Sequence, residues 1–94
     1  MTSEFVHLHN HSDYSLLDGA QRVDQLVNTI DDLNMDSLAL TEHGNMFSVI
    51  PFYKNAKKQG IKPIIGCETY VAVGSRHDKK QIAGGGWGKN HLIL

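Results

Sequence analysis

The chain has 94 residues, 40% hydrophobic and 20% charged, with a formal net charge of −1. That length allows one small domain, the composition is ordinary for a globular protein, and the near-zero net charge does not by itself suggest nucleic acid. No apolar run is long enough to span a bilayer, and the start MTSEFVHLHN lacks the basic and apolar stretches of a signal peptide. With Cys67 as the single cysteine, no intrachain disulfide can form, and a cytoplasmic location is expected.

Phe5 to His9 reads as a short strand. Alternate residues of a strand share a face, so His7, His9 and His11 would aim at one point. Ser12 to Gly19 is a polar loop. From Arg22, apolar residues at Val23, Leu26, Val27, Ile30 and Leu33 follow the period of an amphipathic helix. Asp18 and Gln21 suit a capping-box-like start to it. Ser37 to Thr41, "SLALT", suits a buried strand.

A second helix is expected over Phe47 to Gln59, regular from about Pro51, which is tolerable only in the first turn. Lys57 and Lys58 favour its C-terminus, and Gly60 suits the residue beyond. "IKPIIG" is a third strand with Pro63 at its start. "ETYVAV" either extends it or forms a hairpin arm. Ser75 to Asn90, with "GGGWG", reads as a flexible loop. "HLIL" opens a further strand. The order β-α-β-α-β-loop-β predicts the start of an α/β fold with a parallel sheet. Because the last apolar run stops at Leu94, residues 1–94 are expected to be part of a longer protein.

Charge is unevenly spread. Residues 1–50 hold eight acidic residues and one basic residue, Arg22, whereas residues 51–94 hold eight basic and two acidic. An acidic half that gathers cations beside a basic half that tolerates phosphate suits a metal-dependent phosphoesterase, although such charges also serve as solvated surface.

Each predicted strand abuts a candidate ligand. "HLHNH" ends the first, Glu42 and His43 follow the second, Cys67 and Glu68 follow the third, and His91 opens the fourth. Sites in α/β sheets and barrels form at the carboxyl ends of strands, so residues far apart in sequence can converge there. Imidazoles beside carboxylates suit Zn²⁺, Mn²⁺ or Fe²⁺. Glu68 can bridge two ions, and two-ion sites clamp the oxygens of a phosphoryl displacement.

Several of these residues also have plainer roles. Asp18 can simply cap the helix. Thr41 and Asn45 fit turns and caps. Glu42 should point away from His43, since adjacent strand residues face opposite ways. Cys67 fits a small buried hydrophobe. His77 sits in a charged loop. His7 either packs in the core or supports the ligands without touching metal.

"HLHNHSDYSLLDGA", "ALTEHGNM" and "GIKPIIGCETYVA" together resemble the PHP domain (polymerase and histidinol phosphatase) at the N-terminus of bacterial replicative DNA polymerase III alpha subunits. The H-x-H pair occurs in many metallohydrolases; the joined motifs are specific to the polymerase branch. The resemblance runs from Phe5 to Leu94. It implies the N-terminal part of a distorted (β/α)7 barrel holding up to three divalent ions. It implies His9, His11, Asp18, His43, Glu68 and His91 as metal ligands, with Glu68 bridging and Glu68 and Asp18 catalytic. A further histidine and an Asp-x-His of the family pattern would lie beyond Leu94, as would the polymerase carboxylates.

The implied parent is a DNA-directed DNA polymerase whose PHP site hydrolyses phosphodiesters as a 3′–5′ proofreading exonuclease. Its implied partners are DNA, the sliding clamp and the clamp loader, with no membrane. Two other readings stand beside this one: a metal-stabilised docking domain without hydrolysis, and a stand-alone phosphatase of histidinol-phosphate type. All candidate ligands within the first 94 positions are kept, which favours an active site over a relic.

Overall fold

The computed structural model describes residues 5–15, 19–77 and 90–94. Helix α1 spans Val23–Asp32, strand β1 Ser37–His43, helix α2 Val49–Gln59, strand β2 Lys62–Val71 and strand β3 Asn90–Ile93. The three strands form one sheet in the order β1-β2-β3. β1 and β2 run parallel, in a register from Ser37 opposite Lys62 to His43 opposite Glu68.

α1 forms where its apolar spacing places it, with Val23, Leu26, Val27 and Ile30 all buried. Its start is not the expected capping box. Arg22 occupies the N-cap position in extended conformation without a side-chain cap. The Gln21 carbonyl instead accepts a hydrogen bond from Asp13 N–H at 2.8 Å, and Asp18 lies outside the described residues. Leu33 does not extend the buried face: the helix ends there, and the side chain is exposed. Asn34 then turns the chain at φ 57°, a left-handed conformation that asparagine tolerates better than most residues. Met35 packs back against the core.

β1 runs two residues further than its apolar run suggested, because β2 continues beside it and pairs with Glu42 and His43. α2 begins at Val49, which puts Pro51 in the first turn, where its missing N–H leaves no helical bond unmade. Lys57 and Lys58 occupy the last turn, and Gly60 closes the helix at φ 75°. β2 absorbs both "IKPIIG" and "ETYVAV", so the second extends the first. Pro63 is its second residue, well outside the segment paired with β3.

Two of the expected strands differ from the sequence reading. First, β3 pairs antiparallel to β2, with Glu68 opposite Ile93 and Tyr70 opposite His91. A parallel neighbour needs a long crossover, usually helical, and the sequence between these strands has no helical period. Second, Phe5 to His9 is not a strand. His7 C=O accepts from Ala39 N–H at 3.0 Å, and the next bond along β1 joins Asn10 C=O to Thr41 N–H at 2.9 Å. Three residues on one side thus face two on the other, which breaks strict alternation as a bulge does. Asn10 stabilises the irregularity, since its Nδ2 donates to Ala39 C=O at 2.9 Å and His7 C=O at 3.2 Å.

The core joins both helices to one face of β1: Val23, Leu26, Val27, Ile30, Leu38, Leu40, Phe52, Ala56 and Ile61. On a strand, Leu38 and Leu40 share a face with Glu42, and Ala39 and Thr41 share the other with His43. The helices therefore leave the His43 face open for chemistry. Phe52 is 1% exposed and Ile50, two residues earlier on α2, is 63% exposed. Phe52→Ala is expected to destabilise the protein by about 3–5 kcal/mol, and Ile50→Ala by less than about 0.5 kcal/mol, as measured by denaturant midpoints.

Candidate metal centre

The site is built where the β1–β2 pairing ends. His43, the last residue of β1, lies opposite Glu68, so both side chains project from one face of the parallel pair. Gly44 then turns at φ 69°, and its N–H donates to Glu68 C=O at 2.8 Å. A residue with a Cβ would be strained in this conformation. β3 adds His91 beside Tyr70, and the irregular 7–12 segment brings His9 and His11 over the same end of the sheet.

Glu68 is the centre of the arrangement. Its Oε1 lies 2.7 Å from His9 Nε2. Its Oε2 lies 3.2 Å from His91 Nδ1, 3.6 Å from His43 Nδ1 and 3.7 Å from His11 Nε2. Only 4% of the residue is exposed. Burial pushes the carboxyl group toward its neutral form, but His9, His11, His43 and His91 more than offset this and hold its pKa below the usual value. The imidazoles also pack on one another: His11 stacks on His43 at 5.7 Å between centroids, and His43 lies 4.9 Å from His91.

This donor set fits a metal. His9, His11 and Glu68 form one group of potential ligands, and His43, Glu68 and His91 form another, the donor atoms of each lying within 4.8 Å of one another. Tetrahedral ligands at about 2.0–2.1 Å from zinc stand roughly 3.3 Å apart, and the Glu68 distances bracket that value. Both groups contain Glu68, and a carboxylate has two oxygens with which to serve both.

Of the residues singled out in the sequence, His9, His11, His43, Glu68 and His91 converge, and Asp18 lies outside the described residues. His7 does not join them or enter the core; it is exposed, its ring edge-on to Phe5 at 4.8 Å. Cys67 is half-buried, with Sγ 3.5–3.6 Å from the carbonyls of Glu42, Asn45 and Glu68. Asn45 serves the turn, its Oδ1 accepting from Phe47 N–H at 3.1 Å. Thr41 Oγ1 accepts from Asn10 N–H at 3.2 Å. His77 is exposed and away from the cluster.

Glu42 points away from the cluster, as its neighbour's orientation requires, yet it is 1% exposed and heavily bonded. Its Oε1 accepts from Ser12 N–H at 2.7 Å and from the Ser15 hydroxyl at 2.9 Å, and its Oε2 accepts from the Ser12 hydroxyl. Burial alone would raise its pKa; the bonds from Ser12, Ser48 and Ser15 hold it low instead. This role was legible in principle, because strand period puts Glu42 on the buried face of Leu38 and Leu40. Tyr70 was also missed. Its ring lies 5.2 Å from that of His43 and 5.1 Å from that of His91, as its position two residues after Glu68 on the same strand face allows.

The sequence matches the PHP domain family over residues 7–94. The chain belongs to the PHP domain family. It is 57% identical over 79 residues to the DNA polymerase III subunit alpha of Borreliella burgdorferi, covering 84% of this chain and 7% of that protein. The corresponding subunit of Mycobacterium tuberculosis is 51% identical over 86 residues, covering 92% and 7%. That of Thermus aquaticus is 45% identical over 93 residues, covering 97% and 8%. The chain thus spans less than a tenth of the length of these relatives. Among solved structures it resembles an amidohydrolase from Chromobacterium violaceum, solved with bound sulfate and no metal. The TM-score is 0.66 at 29% identity, over 73% of this chain and 24% of that one. The open sheet of this PHP chain accords with part of a larger barrel. No helix among the described residues is long and apolar enough to cross a membrane.

The cluster and the exposed histidine give a direct contrast. His11→Ala and His43→Ala are each expected to lower the divalent metal retained after desalting, whereas His77→Ala leaves it unchanged, as measured by elemental analysis. Equal loss from all three would mean that the histidines bind metal nonspecifically.

Proposed function

We propose that residues 1–94 are the N-terminal portion of the PHP domain of a DNA polymerase III alpha subunit, and that its metal site hydrolyses phosphodiesters as a 3′–5′ proofreading exonuclease. The carrying observation is the buried Glu68 carboxylate faced by four imidazoles. On this reading His9, His11 and Glu68 would hold one divalent cation, and His43, Glu68 and His91 would hold a second, with Glu68 common to both groups. Asp18 would add a further ligand to a set of up to three ions. Zn²⁺, Mn²⁺ or Fe²⁺ suits imidazole-rich sites of this kind.

Such ions supply Lewis acidity at a phosphoryl oxygen and make water a competent nucleophile near neutral pH. The chain's own residues do the positioning. Glu68 is ionised where it stands, with Oε1 facing His9 and Oε2 facing His11, His43 and His91. His9 approaches from solvent, with 56% of its side chain exposed, while His11 is 14% exposed and His43 22%. The wetter flank suits entry of a flexible DNA end, and the drier flank strengthens electrostatic interactions. The parent's DNA-directed polymerisation, its cytoplasmic location, and its partners — DNA, the sliding clamp and the clamp loader — follow from the same reading.

In the intact polymerase, Glu68→Ala is expected to slow release of 3′ nucleotides from single-stranded DNA by at least ~100-fold, since even partners of metal ligands cost 10–100-fold when removed. Primer extension should be largely unchanged. Trimming at the parental rate would exclude this site as the nuclease and favour a metal-stabilised docking domain.

A further inference from the structure

The geometry points to Glu42 as a positioning residue that sets the two histidine-bearing segments of the site against each other through Ser12 and Ser15. This rests on the reading of the Glu68 cluster as a metal site. Glu42 itself faces the other side of β1 and is absent from both groups of candidate ligands.

Two links converge on its carboxylate. Ser12, the residue after His11, is fully buried and donates both its backbone N–H and its hydroxyl to Glu42. Ser15 is 4% exposed, and its hydroxyl both donates to Glu42 and accepts from His43 N–H, at 2.9 Å in each case. A single buried anion thus joins the chain beside His11 to the backbone of His43.

The loop is closed on itself around the same point. Ser15 N–H donates to Ser12 C=O at 3.0 Å, Gly19 N–H to Ser15 C=O at 2.8 Å, and Tyr14 N–H to the Ser12 hydroxyl at 3.2 Å. A Cβ on Gly19 would lie 2.1 Å from Ser12 C=O, so the turn admits no side chain there. The 7–12 segment has few regular strand bonds to hold it. The Glu42 carboxylate therefore supplies the restraint that a strand ladder would otherwise give. An acceptor with a full charge binds hydroxyl and N–H donors more strongly than a neutral one, which explains a carboxylate at this buried position.

The test uses the intact protein with Co²⁺ as the probe, because its visible absorption reports ligand geometry independently of turnover. Glu42→Gln and Ser15→Ala are each expected to weaken Co²⁺ binding by about 10–100-fold and to change the absorption spectrum of the bound ion. Thermal unfolding in the presence of chelator identifies folded variants, and Ser15→Ala carries the test if Glu42→Gln does not fold. A lower melting temperature with affinity within twofold of the parent and an unchanged spectrum would overturn the proposal and leave Glu42 a purely structural residue. Glu68→Ala separates the two readings. If it abolishes Co²⁺ binding while Glu42→Gln and Ser15→Ala bind normally, only the positioning role fails. If it binds Co²⁺ as the parent does, the metal-site reading fails and the positioning role falls with it.

Discussion

The register of β1 against β2 is the constraint on which the rest depends. A parallel pair places opposite residues on one face, so His43 and Glu68 are brought together by the same ladder that brings Leu38 and Leu40 to the helices. Side chains alternate along a strand, and a slip of one residue would exchange the faces. Glu42 would then turn toward the cluster and His43 toward the core. The hydrophobic burial that stabilises α1 and α2 on this sheet is therefore also what aims the chemistry.

Around that ladder, two carboxylates on opposite sides of the sheet solve the same problem with different partners. Both are almost wholly buried and both keep a lowered pKa. A buried charge is tolerated only when it is bonded. Glu42 is surrounded by serines, which do not titrate and offer fixed donors. Glu68 is surrounded by imidazoles, whose lone pairs can turn to a cation. The first arrangement builds structure and the second builds a binding site.

The remaining pieces are less regular and serve this centre. The irregular 7–12 segment brings His9 and His11, and the antiparallel return of β3 brings His91, to the carboxylate that the β1–β2 ladder already sets opposite His43. β3 is held close by reciprocal bonds between Cys67 and Leu94, at 2.8 and 2.9 Å. Gly66 permits this, since a Cβ there would come within 2.3 Å of Leu94 C=O.

Much of this was legible in the residues alone. The 3.6-residue period of α1, the Pro51 and Gly60 limits of α2 and the apolar run of β1 are local properties, and local propensity and burial act on them together. The ligand types were legible too, because His9, His11, His43, Glu68 and His91 carry their chemistry wherever they are placed. The outer segments were not. Phe5 to His9 has the alternation of a strand, but side-chain bonding by Asn10 breaks its ladder, and that competition is invisible in a pattern. The direction of β3 depends on how the chain returns across the sheet, and the duty of Glu42 depends on which donors arrive beside it. Periodicity and side-chain chemistry are written along the chain. Pairing, direction and the satisfaction of buried charge exist only between segments, so the tertiary structure decided them.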